Sequence, residues 1–490
     1  MSKQNLIIVV IAIVAALGTG LYVAHQQGAI EFTTALSKAD KDKDKSGITE
    51  KAAITRQVSG TLDIKEIRSE DGLTAWLVQD TSVPVISIHF GFRDAGAATD
   101  PEEKQGLARL VSNTMDEGAG NLDAQEFQSE LKNNSIGLSF TVDRDHYGGH
   151  LKTLSKNKDT AFRLLKLALT DPLFDAEPLE RMKAANIARI KSNLSDPAWR
   201  ALRIAYDVAF EGHPYAKNSG GTISGIQNVT QRDLERFAKS YLAKDNLVIG
   251  ISGDISVEDA QNAIDNIFGK LPETSNIPDI PDTGIRNKNE SVHHKMDIPQ
   301  THIQLWHRGV PRQSENYAEA KILNHIFGRG GFGSRLMTSA REKEGLTYGI
   351  YSYIQHFNHA DMLIISTSTQ NEKAGEMMQI IIQEIQTLGE KGITEEELTA
   401  AKDYLSGSLP LRFTSNPRIS QTLMSLQLDG LEMDYLDRYL EDIQAASITD
   451  VNAMTPRLLS LDEFIGVTVG QPGGLDHAPN AVVETLPNVE

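Results

Sequence analysis

Gly328-Arg329-Gly330-Gly331-Phe332-Gly333-Ser334-Arg335-Leu336, continued by Arg341-Glu342-Lys343-Glu344-Gly345-Leu346-Thr347-Tyr348-Gly349-Ile350, is the stretch on which the reading turns. Its glycines make a loop of little steric bulk that opens a helix. A phosphate-binding loop is the first rival. Gly328 and Gly333 have the required separation, but Ser334-Arg335 stands where Lys-Ser/Thr is needed, so a nucleotide site is rejected. Arg341 and Tyr348 follow, seven residues apart. Their plain reading is an exposed helical Arg and a half-buried strand Tyr.

Outward from this stretch the chain repeats itself. Leu179-Glu180-Arg181-Met182-Lys183 recurs as Leu398-Thr399-Ala400-Ala401-Lys402, an offset of 219. Val229-Thr230 recurs as Ile448-Thr449 at the same offset. Val248-Ile249-Gly250 recurs as Phe464-Ile465-Gly466 at 216, and Ile86-x-Ile88 as Ile303-x-Leu305 at 217. A period this long signals two homologous domains rather than a solenoid. Short β-branched runs such as Val85 to Phe90 and Leu247 to Gly253 read as strands, and helical patterns lie between them. The expected fold class is α+β: two homologous domains, each a mainly antiparallel sheet with helices on one face, after an N-terminal transmembrane helix. The expected boundaries are 1–25 anchor or signal, 26–60 flexible tether, 61–275 first domain, 276–295 linker, 296–475 second domain and 476–490 tail.

The bulk numbers narrow the function. At 490 residues the chain exceeds one ordinary domain. A net charge of −18 argues against a nucleic-acid binder, which needs a clustered basic face. The absence of cysteine excludes a thiol nucleophile, a disulfide framework and a thiolate-built zinc site. Leu6 to Ala24 is an uncharged apolar run of 19 residues, about the length that crosses a bilayer. An uncleaved anchor is favoured over a signal peptide cut after Ala16-Leu17-Gly18, because apolar residues continue through Val23. The body is then expected on the exported side of an inner membrane, in the periplasm. The alternating Asp/Lys run from Asp40 to Lys45 lacks a calcium-loop frame and reads as solvated linker.

Gly106 to Met115 reads as an amphipathic helix, with Leu107, Leu110, Val111 and Met115 on one stripe and Arg109, Ser112 and Asn113 on another face. Here the chain resembles the insulinase (pitrilysin) family of zinc peptidases, whose inverted motif H-x-x-E-H lies on such a helix. The two His positions fall on Arg109 and Asn113, the Glu on Ser112, and the distant Glu ligand on Arg189. Arg offers no lone pair to a cation, so the resemblance is to a degenerate, non-catalytic member that holds no metal itself. His146 and His150, spaced i,i+4, are separated by two glycines that argue for strand or loop, and His293-His294, His356 and His359 read as solvated histidines.

The Gly-rich loop and the "SRL" and "REK-GL-Y" segments resemble the same family's second domain. The resemblance covers about residues 61 to 475 and is to a two-domain subunit like those of mitochondrial processing peptidase. It implies that Arg341 and Tyr348 reach across a closed chamber toward a zinc site, where they donate to a carbonyl oxygen gaining negative charge. It also implies that Gly330, Gly331, Phe332 and Gly333 handle an unfolded peptide. The expected role is a non-catalytic subunit in a heterodimer, with zinc in the partner and none in this chain. The alternative is a peptide-binding or scaffold protein of a membrane complex without peptidase activity.

Overall fold

The computed structural model describes residues 54–490. Strands β1 (Ile54–Val58), β2 (Ile64–Arg68), β3 (Thr74–Gln79), β4 (Val85–Phe92), β5 (Gly137–Val142), β6 (Tyr147–Leu154) and β7 (Leu247–Gly253) form one sheet in the order β1-β2-β3-β7-β4-β6-β5. A second sheet contains β8 (Ser291–Lys295), β9 (Gln300–Arg308), β10 (Ile350–Phe357), β11 (Ala360–Gln370), β12 (Ile465–Gly470) and β13 (Ala481–Val482), ordered β10-β11-β9-β12-β8-β13. The duplication is visible in this topology. The run β3-β7-β4-β6-β5 has the same order as β8-β12-β9-β11-β10. In both runs the first pair is parallel and the next three are antiparallel. Each sheet is thus mixed, with antiparallel pairs in the majority.

Alternation along β4 separates two environments. Ile86, Ile88, Phe90 and Phe92 enter the apolar core of the first half, together with Ile249 and Ile251 of β7. That core is closed by helices of the same half, among them α1 (Leu107–Thr114), α2 (Ala176–Asn193) and the helix Val257–Phe268. The opposite face presents Ser87, His89 and Gly91, with Gly250 and Ser252 directly across from His89 and Ser87.

This second face is covered by a helix from the other half of the chain. Of three further labelled helices, α3 (Pro197–Ala209) belongs to the first half, and α4 (Glu395–Ser408) and α5 (Asn416–Leu428) to the second. Helix α5 lies on β3, β4 and β7, where Leu423 and Leu426 join Trp76 and Val78 in one cluster. Reciprocally, α3 lies on β9 and β12, where Ala201, Ile204 and Ala205 pack with Trp306, Ile465 and Val467. The two helices are counterparts in the duplication. Each starts with proline in its first turn, Pro197 after the N-cap Asp196 and Pro417 after Asn416, where the missing N–H costs nothing.

The approach of α5 is close because Gly250 puts no side chain beneath it. A Cβ on Gly250 would lie 2.4 Å from the Ser420 carbonyl oxygen. Around it, the Ser420 hydroxyl meets Ser87 Oγ at 2.8 Å and His89 Nδ1 at 2.8 Å, and His150 stacks on His89 at 4.0 Å.

Several expected boundaries differ from this structure. β1 pairs with β2, so Ile54–Val58, inside the stretch 26–60 read as tether, is part of the first sheet. β8 is an interior strand of the second sheet, although 276–295 was expected to be linker: the prolines end at Pro281 and Ser291 to Lys295 alternates as a strand. The stretch 476–490 is not a free tail, since β13 pairs with β8 and the carbonyl of buried Val489 accepts from Ile223 N. Helices occupy both faces of each sheet, not one. The apolar run Leu6 to Ala24 lies outside the described residues. Among the described residues, no helix is long and apolar enough to cross a membrane.

Two predictions test the exchanged helix. Gly250→Ala is expected to lose about 2 kcal/mol by overpacking against the α5 backbone, whereas Gly284→Ala, with nothing within 4 Å of its Cβ, leaves the thermal midpoint unchanged. Equal midpoints for both variants would show that α5 yields freely. Burial, and then the charge of His150, hold the His89 imidazole down at about 3. The unfolded chain takes up that proton below its ordinary value near 6.5 and the native chain does not. Stability is therefore complete above that value and is lost as pH falls toward 3, by on the order of 2 kcal/mol at pH 5. Urea unfolding at pH 7.5 and 5 is expected to show this loss, reduced in His89→Gln.

Candidate functional site

The four residues singled out from sequence lie on two neighbouring helices, Arg109, Ser112 and Asn113 on α1 and Arg189 on α2. Helix α1 follows Gly106, whose φ of +105° suits glycine alone and whose Cα packs against Gly221. The Asp100 carboxylate closes this helix start, accepting from Gly106 N at 2.8 Å and Ala108 N at 2.9 Å. Its full burial pushes its pKa up to about 7, against the lowering effect of those N–H groups.

From α1, Arg109 donates to the Val142 carbonyl at 3.2 Å, and Ser112 Oγ folds back on the Arg109 carbonyl at 2.9 Å. Asn113 Oδ1 accepts from Asn186 Nδ2 of α2 at 2.9 Å. Asn186 Oδ1 in turn accepts from Arg189 at 2.7 Å. Burial, and then the positive charge of Arg189, lower the Arg109 pKa from its ordinary value. The guanidinium nevertheless stays protonated at neutral pH. Its Nε–H is buried and has no hydrogen-bond partner.

This set does not fit a zinc ion. Two guanidiniums repel a cation, and Ser112, Asn113 and Asn186 provide only neutral oxygens that are weak ligands for it. Among the described residues, no three His, Cys, Asp or Glu side chains are placed to hold a metal. Zinc-assisted hydrolysis is therefore not a chemistry of this site. Asn186 was not singled out from sequence, although it lies one helical turn before Arg189 and its spacing was readable.

The Gly-rich loop is built differently from its uniform appearance in sequence. A Cβ on Gly328 would meet Ser352 Oγ at 2.5 Å, and one on Gly330 would meet the His325 carbonyl at 2.8 Å, so both serve packing. Gly331, at a φ of +62°, and Gly333 face open space. Ser334 holds the turn through Oγ to the Gly331 carbonyl at 2.8 Å. Arg335 of the "SRL" segment is fixed by two 2.7 Å bonds to Glu397 of α4, a pairing across 62 residues that left no local signal.

Past the short helix Arg335–Met337, a π-helical turn over Thr338–Lys343 carries Arg341. Its guanidinium lies 4.3 Å over the Phe332 ring, itself 63% exposed. Tyr348 is 90% exposed and precedes β10. The plain reading of Tyr348 as half-buried in a strand does not hold, because the chain turns through Thr347 and Gly349 before β10 begins. Arg341 and Phe332 are together. No hydrogen bond or ion pair among the described residues joins Arg341 or Tyr348 to the Arg109–Arg189 cluster.

The other histidines are less solvated than expected. His150 lies in β6 against His89, and His294 is buried between Arg200 and the Val483 carbonyl. His356 meets Asp361 at 2.6 Å and His359 meets Asp282 at 3.0 Å, both lining a polar cleft of about 770 Å³. Cross-strand and tail contacts, invisible in local sequence, account for these differences.

Residues 88–219 match the family model described as Insulinase (Peptidase family M16), and residues 228–405 match the one described as Peptidase M16 inactive domain. The chain is similar to a "Non-peptidase homolog YmxG" of Helicobacter pylori, with 30% identity over 381 residues, 76% of this chain and 85% of that relative. The chain belongs to the insulinase family, M16. It is also similar to an "Uncharacterized zinc protease YmxG" of Bacillus subtilis, with 22% identity over 403 residues, 81% of this chain and 96% of the relative. A solved M16 inactive domain from Pseudomonas fluorescens superimposes with a TM-score of 0.78 at 25% identity, covering 86% of this chain and all of that one. Within M16 this protein carries Arg109, Asn113 and Arg189 at the positions read from sequence as zinc ligands, and Ser112 at the position read as the general base.

Restoring the motif tests the geometry. The quadruple variant Arg109→His, Ser112→Glu, Asn113→His, Arg189→Glu is expected to bind zinc stoichiometrically by elemental analysis after dialysis, and the native chain to retain none. A quadruple variant that folds without binding zinc would show that α1 and α2 no longer hold the family's spacing.

Proposed function

We propose that this protein is the non-catalytic subunit of a two-chain M16 metallopeptidase, completing a zinc-bearing partner's site in trans. The observation that carries the reading is the asymmetry between the two halves. The metal ligands of the first are replaced, while the second keeps Arg341 and Tyr348, with Tyr348 extended into solvent where it stabilises nothing in its own chain. A phenol and a guanidinium presented outward suit a developing oxyanion on a substrate held elsewhere. The open backbone at Gly331 and Gly333, flanked by Gly330 and Phe332, suits an extended, unfolded peptide. Zinc belongs to the partner in this reading. Leu6 to Ala24 tethers the body to an inner membrane on its periplasmic side.

A second reading is supported by the name of the Helicobacter pylori relative, a non-peptidase homologue. In it, the chain binds peptides or supports a membrane complex without hydrolysis. The two separate in one experiment. Hydrolysis of an unstructured peptide by the complex drawn from its native membrane is expected to be chelator-sensitive and absent from the isolated chain. Arg341→Ala or Tyr348→Phe is expected to lower its kcat about 100-fold. Unchanged kcat in both variants refutes the trans role, and absence of activity in the native material favours the scaffold.

A further inference from the structure

The former zinc position holds a net positive charge with no anion to match it. Arg109 and Arg189 are near enough that one lowers the pKa of the other, and their hydrogen bonds go to the neutral acceptors Val142 O and Asn186 Oδ1. The Arg109 Nε–H is left without an acceptor. Two carboxylates act on Arg109 electrostatically, Asp143 and Asp100, and both are committed elsewhere. Asp143 accepts from the backbone of Asp145 and His146 in the β5–β6 turn, and Asp100 accepts from the start of α1. In a chain of net charge −18, an unneutralised pair of arginines is out of keeping with its surroundings.

The cluster is also reachable. Arg189 is exposed on α2, and Arg109 is tied to Val142, the last residue of β5. β5 is an edge strand, with Gly137, Ser139 and Thr141 exposed along it. An extended chain pairing with that edge would run toward the two guanidiniums. Planar guanidinium forks match a carboxylate in geometry as well as in sign.

We propose that the degenerate metal position is an anion site that takes a carboxylate of a bound peptide between Arg109 and Arg189. The class of ligand rests on the peptide-handling reading, whereas the site itself needs no partner subunit. The carboxylate is either the peptide's own C-terminus or an acidic side chain, and the test separates them.

Full-length protein, isolated from any partner, is titrated at low salt into three labelled, unstructured peptides lacking other acidic residues. One has a free C-terminus, one is amidated, and one is amidated with a single internal Glu. Fluorescence anisotropy is expected to show at least one carboxylate peptide binding about tenfold tighter than the neutral one. That preference is expected to vanish in Arg109→Gln and in Arg189→Gln. Should Arg109→Gln fail to unfold cooperatively, Arg189→Gln, at an exposed position, decides alone. Equal binding of all three peptides, no binding, or a preference that survives Arg189→Gln overturns the site. Loss of the Arg341 and Tyr348 effect on hydrolysis with the carboxylate preference intact overturns only the trans role.

Discussion

The exchange of α3 and α5 between the two sheets is the constraint on which the rest of the structure depends. Each sheet has one face closed by helices of its own half and the other covered by a helix from the opposite half together with residues flanking it. Neither half therefore buries both faces alone. The glycines and short polar residues under α5 are required by this arrangement, since a backbone that passes within 2.4 Å of the Gly250 Cβ position leaves no room for a side chain. A duplicated pair of domains is thereby turned into one body over residues 53–490.

That interlock explains how the ligand positions of the first half were free to change. In small zinc-dependent folds the metal supplies folding energy, and losing it unfolds the chain. Here α1 is held by apolar packing of Leu107, Leu110, Val111 and Met115 and by the Asp100 cap at its start. The polar face of α1 was under no such demand. Arg109, Ser112 and Asn113 there offer no zinc chemistry and do not disturb the helix, and Asn186 links α2 to α1.

The duplication, the strands and the α+β class were legible because they are written in local periodicity and in offsets that survive divergence. The four positions singled out as degenerate lie on α1 and α2, the two helices that the periodicity marked. What was not legible depends on distance in the chain. Ile54–Val58 looks polar and isolated until β2 pairs with it, and Ser291–Lys295 looks like linker until β12 lies beside it. Val489 carries no signal that it will dock beside Ile223. The Arg335–Glu397 pair and the burial of His294 have the same cause. Period and composition describe an element, and the neighbour it finds across the fold decides whether its polar groups are solvated or satisfied internally.

The residues of the Gly-rich loop and of the segment after it in the second half respond to this reasoning differently. Gly328 and Gly330 are explained by packing against Ser352 and His325, and Arg335 by its pairing with Glu397. Gly331, Gly333 and Tyr348 are explained by nothing inside the chain: the glycines border open space and the Tyr ring is bare. A large apolar ring left in water gives up the burial that aromatic residues ordinarily gain on folding. The stability of this chain does not account for it, and in the proposed reading its reason is the substrate held by a partner.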